Sequence, residues 1–421
     1  MSAPIAVTAR DAAVDALFVM RRGGDFRAST KTLTDARERS LADAITLAIA
    51  RNATLIDYHI ARVSSIPLDK IEPTVIDILR VAAAQLMFLS KIPPSAAVNE
   101  GVEQADKRAP RAKGFVNAIL RKLSNGKMPP VENRNPLEKL AIEYSHPRWY
   151  VEYLVSRFGD GTRAILAADN TPPSVNCVVN TTIAARDDVI ASLKAEGADA
   201  VPRVGSDVLF SLRASGSITR YTAFRGGLFY VQDAGAYRIA ELCGAKSGDT
   251  VIDLCAAPGG KSFALAGLMR NNGRILAFDT PERVPLIESG AKRLKLPIIT
   301  AAPNDATRFN STLRGVADVV LIDAPCSGFG VIRKKPEIRR KSRESVASLP
   351  ELQLSILRVA HEYVKRGGKL VYATCTTLDA ENERVTDKFL SERSEYRQIS
   401  REMMPPSLDN DGFYVCVMEK L

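Results

Sequence analysis

The chain is 421 residues long, more than one ordinary hydrophobic core fills, so two or three domains are expected. With 46% hydrophobic and 25% charged residues it is globular in composition, which excludes a disordered or membrane-embedded chain. Lys and Arg outnumber Asp and Glu by 58 to 48, and this +10 favours a polyanionic partner. Six cysteines, at 177, 243, 255, 326, 375 and 416, are too few and too scattered for a disulfide framework. None forms a Cys-x-x-Cys pair and only three histidines exist, so no metal site is expected. No apolar stretch reaches the length of a membrane span and Met1–Arg10 has no secretion-signal pattern, so a soluble, cytoplasmic protein with reduced thiols is expected.

The first third reads as helical throughout. Ala12, Val14, Ala16, Leu17 and Val19 crowd one apolar stretch that Gly23-Gly24 stops. Further helices are expected over Asp35–Ala50, Glu72–Leu89, Ala96–Lys107 and Lys113–Leu123, with Pro93-Pro94 and Pro110 as punctuation. Pro129-Pro130, followed by Glu132, Asn133, Arg134, Asn135 and Pro136, reads as a linker. A mixed segment follows, with a helix over Arg148–Phe158, strands over Ser174–Asn180 and Val208–Leu212, and a helix over Arg186–Glu196. From about Gly227 compact apolar runs (Val251–Leu254, Ile275–Phe278, Ile298–Thr300, Val319–Ile322, Lys369–Thr374) alternate with helical stretches (Lys261–Met269, Val284–Arg293, Ser345–Val364, Ala380–Leu390). Such alternation is the pattern of a doubly wound α/β sheet. The expected division is therefore 1–130, all-α; 131–226, a small α+β middle region; and 227–421, a Rossmann-like α/β domain.

The densest chemistry lies in Val251–Lys261 (VIDLCAAPGGK), where a buried strand ends near Asp253 and two glycines lead into a helix. In such sheets ligands bind at the carboxyl ends of strands, and glycine lets the backbone approach closely. Gly259-Gly260-Lys261-Ser262 has no earlier glycine at Walker A spacing, and the string is not GxGxxG. A lone Gly-Gly after a strand is ordinarily just a turn. Here, however, successive strand ends carry Asp253, Asp279 and Asp305, with Asp279 placed for ribose hydroxyls and Asp305 for an adenine amino group. Carboxylates without a phosphate clamp favour S-adenosylmethionine over ATP.

Cys326 and Cys375 lie just past two later strands, Cys326 beside Asp323, Pro325 and Gly328. Cys177, Cys243 and Cys416 read as small core residues. If both strands belong to the sheet, both thiols project into the cofactor cleft, and two thiols and a carboxyl there suit attack on a pyrimidine. A thiolate added to cytosine C6 makes C5 nucleophilic, an acid at N3 stabilises the adduct, and a base then removes the C5 proton so the thiol can leave. The target base must first leave its stack. Spacing alone does not choose between the two cysteines as nucleophile.

These strings, DLCAAPGGK at Asp253–Lys261, DAPCSGFGVIR at Asp323–Arg333 and ATCT at Ala373–Thr376 followed by Glu381-Asn382-Glu383, closely resemble the RNA cytosine-5 methyltransferases of the Sun/Fmu (RsmB) type. Ile92–Glu100 and Gly114–Arg121 resemble the NusB-like helical domain carried in front of such enzymes. Tyr144–Trp149, Asn170–Pro173 and Val231–Asp233 resemble the family's middle region. The resemblance implies Cys375 as nucleophile and Cys326 as the cysteine assisting product release. DNA cytosine methyltransferases attack with a Pro-Cys thiol, which keeps Cys326 as the alternative. It further implies a methyl-donor site lined by Cys255, Ala256, Ala257, Pro258, Gly259, Gly260, Lys261, Asp279, Asp305 and Asp323, with Asp323 between cofactor and base. Thr376 stands where the family usually has Ser, and Phe329 replaces a small Thr, which is expected to narrow the base pocket.

The substrate so implied is structured rRNA, foremost 16S. Residues 1–128 hold 19 basic against 13 acidic residues, and Val331–Glu344 (VIRKKPEIRRKSRE) holds seven against two. The latter tract is expected to contact RNA phosphates. His59, His146 and His361 read as packing or surface residues. The competing readings are a catalytically silent NusB-like RNA-binding or antitermination factor, which would need neither cysteine, and a DNA or small-molecule methyltransferase, which would not explain the leading helical domain.

Overall fold

The computed structural model describes residues 8–24, 27–126, 128–213 and 216–421. The chain divides into two compact units, Met1–Asn170 and Thr171–Leu421. That division falls inside the segment expected to form the middle region.

The first unit contains helices α1 (Ala9–Arg21), α2 (Arg27–Thr30), α3 (Ala36–Val63), α4 (Pro73–Phe88), α5 (Pro94–Arg108), α6 (Lys113–Ser124), α7 (Pro136–Glu143), α8 (Arg148–Phe158) and α9 (Thr162–Asn170). Thr8 and Asp11 form a reciprocal capping box at α1, and Asp35 and Asn135 cap α3 and α7. Ile45, Ile49, Ile78, Leu79, Val116 and Leu120 belong to one core across α3, α4 and α6. Helix α3 runs well past Ala50 because Ile56, His59 and Ile60 extend its buried face beyond a kink at Asn52. The Leu55 amide just after that kink donates to Ser145 Oγ (2.9 Å), which satisfies a donor the bend would strand. His146 is buried, its ring nitrogens 2.7 Å from the Tyr144 carbonyl and 3.2 Å from Asp169.

The second unit opens with a four-stranded antiparallel sheet, β1 (Val175–Val179), β2 (Asp199–Pro202), β3 (Leu209–Arg213) and β4 (Phe229–Val231), with α10 (Arg186–Ala195) and α11 (Thr222–Arg225) between strands. Its order β2-β3-β1-β4 is that of a split βαβ, ferredoxin-like unit. After α12 (Ala234–Cys243) come β5 (Thr250–Leu254), α13 (Gly260–Leu268), β6 (Arg274–Asp279), α14 (Val284–Leu294), β7 (Ile299–Pro303) and β8 (Ala317–Asp323). The chain ends with α15 (Leu349–Ala360), β9 (Val364–Thr374), α16 (Glu383–Glu392), β10 (Tyr396–Met404) and β11 (Phe413–Lys420).

These strands form a seven-stranded sheet in the order β10-β11-β9-β8-β5-β6-β7, parallel from β9 to β7 and antiparallel at the β10–β11 edge. This is the expected Rossmann-like architecture. The helix expected over Ser345–Val364 is shorter, because Val364 already opens β9. The β10–β11 hairpin is an addition to the sequence reading. Cys177, Cys243 and Cys416 are wholly buried.

Candidate active site

The order of the sheet reverses at β5, which has β6 on one side and β8 on the other. A crevice opens at such a switch point, outside the carboxyl ends of the strands. Register pairs Leu254 with Phe278 and Ile322, and Asp323 with Ala373, so the ends of β5, β6, β8 and β9 lie level on one rim.

The loop after β5 takes tight, unusual backbone geometry. Cys255 has φ +60° and Gly259 φ +104°. A Cβ on Gly259 would lie 2.4 Å from the Phe263 ring, so both conformation and space require glycine there. The Ala256 amide donates to the Phe278 carbonyl (2.9 Å) and the Ala257 amide to Asp279 Oδ2 (2.8 Å). The Thr280 amide occupies Asp279 Oδ1 (2.8 Å), and Arg283 donates to the Ala257 carbonyl (2.7 Å). Asp279 thus anchors the loop that contains Pro258 and leads through Gly260 into α13.

Lys261, on the first turn of α13, is buried with its Nζ 2.6 Å from Asp323 Oδ2 and over the Phe413 ring. Asp305 stands apart. It is exposed at the end of β7, its Oδ1 accepting from the amide and hydroxyl of Thr307 and its Oδ2 3.3 Å from Arg308.

Asp253 is wholly buried and accepts from Ser262 Oγ (2.5 Å), so it faces α13 rather than open cleft. Burial raises it, the Ser262 bond opposes and nearby Asp323 adds, leaving its carboxyl pushed up to about 7. A carboxyl raised on folding contributes stability below its unfolded value of 3.8 and loses it as pH climbs towards 7. The melting temperature of the wild type is therefore expected to fall relative to that of Asp253→Asn between about pH 4 and pH 7. Parallel profiles for the two proteins would remove Asp253 as the source.

Cys326 and Cys375, 49 residues apart in sequence, meet with their sulfurs 3.2 Å apart. The Cys375 amide also points at Cys326 Sγ (3.4 Å). The contact with Cys326 holds the Cys375 thiol below its ordinary value, against burial and Asp323 and helped by Lys261 and Lys335. The same contact, with burial, drives Cys326 well up. The pair therefore makes Cys375 the more acidic of the two sulfurs.

Glu381, to which the sequence reading gave no role, locks the two cysteine loops together. Its buried carboxylate accepts from the Ser327 amide (2.8 Å) and from Gln353 (2.9 Å), and Gln353 also donates to the Pro325 carbonyl (2.9 Å). Burial raises the Glu381 carboxyl. Ser327 Oγ and Thr376 Oγ1 are 2.8 Å apart, so the hydroxyl that Thr376 keeps bridges the same two loops. Gly330 lies against Gly412 and the Cys375 carbonyl, where a Cβ would come within 2.2 Å of the Gly412 oxygen. Phe329 is wholly buried, so it does not wall an open base pocket. A Glu-Asn-Glu run shortly after a strand-end cysteine was the available signal for Glu381.

The basic tract corrects a simple expectation of phosphate contact. Arg333 is buried and donates to the Ser407 and Leu408 carbonyls and to Asp411, and Arg339 is also buried. Lys334 pairs with Asp411 (2.5 Å) and Asp233 (3.4 Å), and Lys341 donates to the Ser327 carbonyl (2.8 Å). Arg333 and Lys334 thus tie the tract to Asp233 and the 407–411 segment and Lys341 ties it to the Cys326 loop, while Lys335, Arg340 and Arg343 remain at the surface.

Comparison with known proteins agrees with this arrangement. Three family models match: 16S rRNA methyltransferase RsmB/F over residues 241–418, the NusB family over 7–125, and an RsmF/B-like ferredoxin-like domain over 146–218. A Bacillus subtilis (strain 168) protein named as a probable ribosomal RNA small subunit methyltransferase B is 34% identical over 409 residues, 91% of each chain. The ribosomal RNA small subunit methyltransferase B of Escherichia coli O1:K1 is 29% identical over 398 residues, again 91% of each. The solved structure of PH0851 aligns with 100% of both chains, with a TM-score of 0.80 and 27% identity. The resemblance drawn from the motifs is borne out: the chain belongs to the RsmB/F family of S-adenosylmethionine-dependent methyltransferases.

Proposed function

We propose that this protein methylates C5 of a cytosine in 16S rRNA through a covalent bond between Cys375 and C6. The observation that carries the reading is the 3.2 Å approach of Cys326 and Cys375 at the rim that also holds Lys261 and Asp323. Small-subunit rRNA enters through the names of the relatives. Residues 1–130 and 131–226 serve as RNA-binding parts before a catalytic part at 227–421. A cytoplasmic setting suits the free thiols, and among the described residues no helix is long and apolar enough to cross a membrane.

The residues suit S-adenosylmethionine. Lys261 is committed to Asp323, so the glycine loop presents no lysine for a phosphate, and the donor has none. Cys255–Lys261 would cradle it, Asp279 and Asp305 would accept from its ribose and adenine, and Asp323 would lie between it and the base. When bound, it supplies an electrophilic methyl group for the carbon that the thiolate adduct activates.

The Cys375 thiolate adds to C6 and its electrons pass into the ring. The Lys261–Asp323 pair supplies the proton that N3 gains as negative charge builds there. After methylation the C5 proton passes to water, the C5–C6 double bond re-forms, the N3 proton returns to the Lys261–Asp323 pair, and Cys375 leaves as thiolate with the Cys326 thiol beside it to stabilise the departing sulfur. A silent RNA-binding factor would have no use for a thiol held acidic beside a second thiol.

Transcribed 16S rRNA carrying tritium at cytosine C5, incubated with the protein and S-adenosylmethionine, is expected to release about one tritium per methyl incorporated, because elimination must discharge the C5 hydrogen. Methyl incorporation without tritium release would overturn C5 as the target. Absence of both would favour the silent factor.

A further inference from the structure

We infer that Cys326 and Cys375 are also a site of reversible oxidation, a dithiol that peroxide converts to a disulfide. Two thiols outside any disulfide have their sulfurs 3.2 Å apart, and both retain some exposure to the cleft. About 1 Å of approach separates that distance from a disulfide bond. The loops holding them are cross-tied through Glu381, Gln353 and the Ser327–Thr376 pair, so the sulfurs cannot drift far apart.

The two sulfurs also differ in the way a peroxide-reactive pair requires. Thiolate character and access set which cysteine reacts, and a neighbouring thiol then resolves the product. Cys375 is held acidic by the Cys326 contact, Lys261 and Lys335, and its thiolate attacks hydrogen peroxide. The O–O bond breaks, hydroxide leaves and Cys375 becomes a sulfenic acid. The Cys326 sulfur then attacks the Cys375 sulfur, displacing hydroxide, which takes the Cys326 proton and departs as water. Two thiols have lost two electrons to one peroxide. Cys255, the remaining half-buried cysteine, is pushed up to about 12 by burial and by Asp279, Asp323 and Asp253, which makes it a poor competitor. Cys177, Cys243 and Cys416 are inaccessible.

A disulfide here has two consequences. It withdraws the attacking sulfur, which silences the enzyme if the proposed function is right, and it shields Cys375 from irreversible sulfinic acid. In a reducing cytoplasm the state is transient and reversible.

The test uses the full-length protein, hydrogen peroxide and dithiothreitol. Peroxide is expected to lower the alkylatable thiols from six to four, with peptide mapping locating a Cys326–Cys375 link. Dithiothreitol should restore all six. In Cys326→Ser the resolving thiol is gone, so Cys375 should instead gain about 32 Da as sulfinic acid that dithiothreitol does not remove. Methyl transfer by the wild type should fall at least about tenfold on oxidation and recover on reduction. Sulfinic acid forming on wild-type Cys375 as fast as in Cys326→Ser, with no link, would overturn the inference. A mapped link that leaves methyl transfer intact would uphold it and count against Cys375 as nucleophile, so the two readings fail separately.

Discussion

Cys375→Ser is expected to lower methyl transfer by at least about 1,000-fold, because loss of a covalent nucleophile removes the pathway rather than weakening one contact. Serine keeps the size and a hydrogen-bonding atom, but a hydroxyl yields its proton far less readily than a thiol. The environment that favours a thiolate here, the Cys326 contact with help from Lys261 and Lys335, cannot make up that difference. Calorimetric affinity for S-adenosylmethionine should change by less than about twofold, since uniform binding is untouched. Cys326→Ser should look different. Attack by Cys375 proceeds, elimination stalls, and a protein–RNA complex that survives denaturing electrophoresis accumulates. Trapping of the complex by Cys375→Ser, with neither turnover nor trapping in Cys326→Ser, would make Cys326 the nucleophile instead. The order in which the two variants fail therefore assigns the sulfurs, which sequence spacing could not do.

The legibility of the site followed the range over which its residues interact. The loop after β5 was readable because a strand, two glycines and a helix start are adjacent in sequence and their physics is local. Strand-end positions for Cys326 and Cys375 were readable for the same reason. Their contact was not, since it depends on β8 and β9 being parallel neighbours in matched register. Glu381 was hidden because its value lies in partners at 327 and 353. The basic tract misled in the opposite sense: a run of seven cations suggests a phosphate surface, but carboxylates at 233 and 411, invisible from the run itself, draw part of it inward. Edge strand β10 spaces Tyr396, Ile399, Met403 and Met404 irregularly around Arg397, Gln398, Arg401 and Glu402, so it gave no alternating signal. Helix α3 was readable up to its kink, and its continuation depends on Ser145, 90 residues away from the amide it satisfies.

Lys261→Met is expected to act on the chemistry and the fold together. The ammonium is buried: desolvation works against its charge, and Asp323 and Asp253 more than restore it. Removing it leaves Asp323 without the cation 2.6 Å away and leaves wholly buried Asp253 beside two carboxylates with no compensating charge. Breaking a buried pair by deleting one partner typically costs about 3–5 kcal/mol, and partial exposure of the Asp323 side chain lowers the expectation to about 1–3 kcal/mol. The larger effect falls on Cys375. The Cys326 contact lowers that thiol most, burial and Asp323 raise it, and Lys261 and Lys335 lower it, so without the lysine the balance moves upward and the thiolate forms at higher pH. Activity that depends on the thiolate rises with pH towards the thiol's own value, held below 9 in the wild type, and the whole rise should move to the alkaline side in Lys261→Met. Iodoacetamide alkylation of Cys375, followed against pH by peptide mass, reads that shift without requiring turnover. The double variant Lys261→Met/Asp323→Asn removes the opposing charge as well and should return the alkylation profile towards the wild type. Methyl transfer should stay low in the double variant, because the Lys261–Asp323 pair that supplies the N3 proton is gone. An alkylation profile that does not move in Lys261→Met would confine the lysine to holding Asp323, and recovery of methyl transfer in the double variant would remove Asp323 from the reaction.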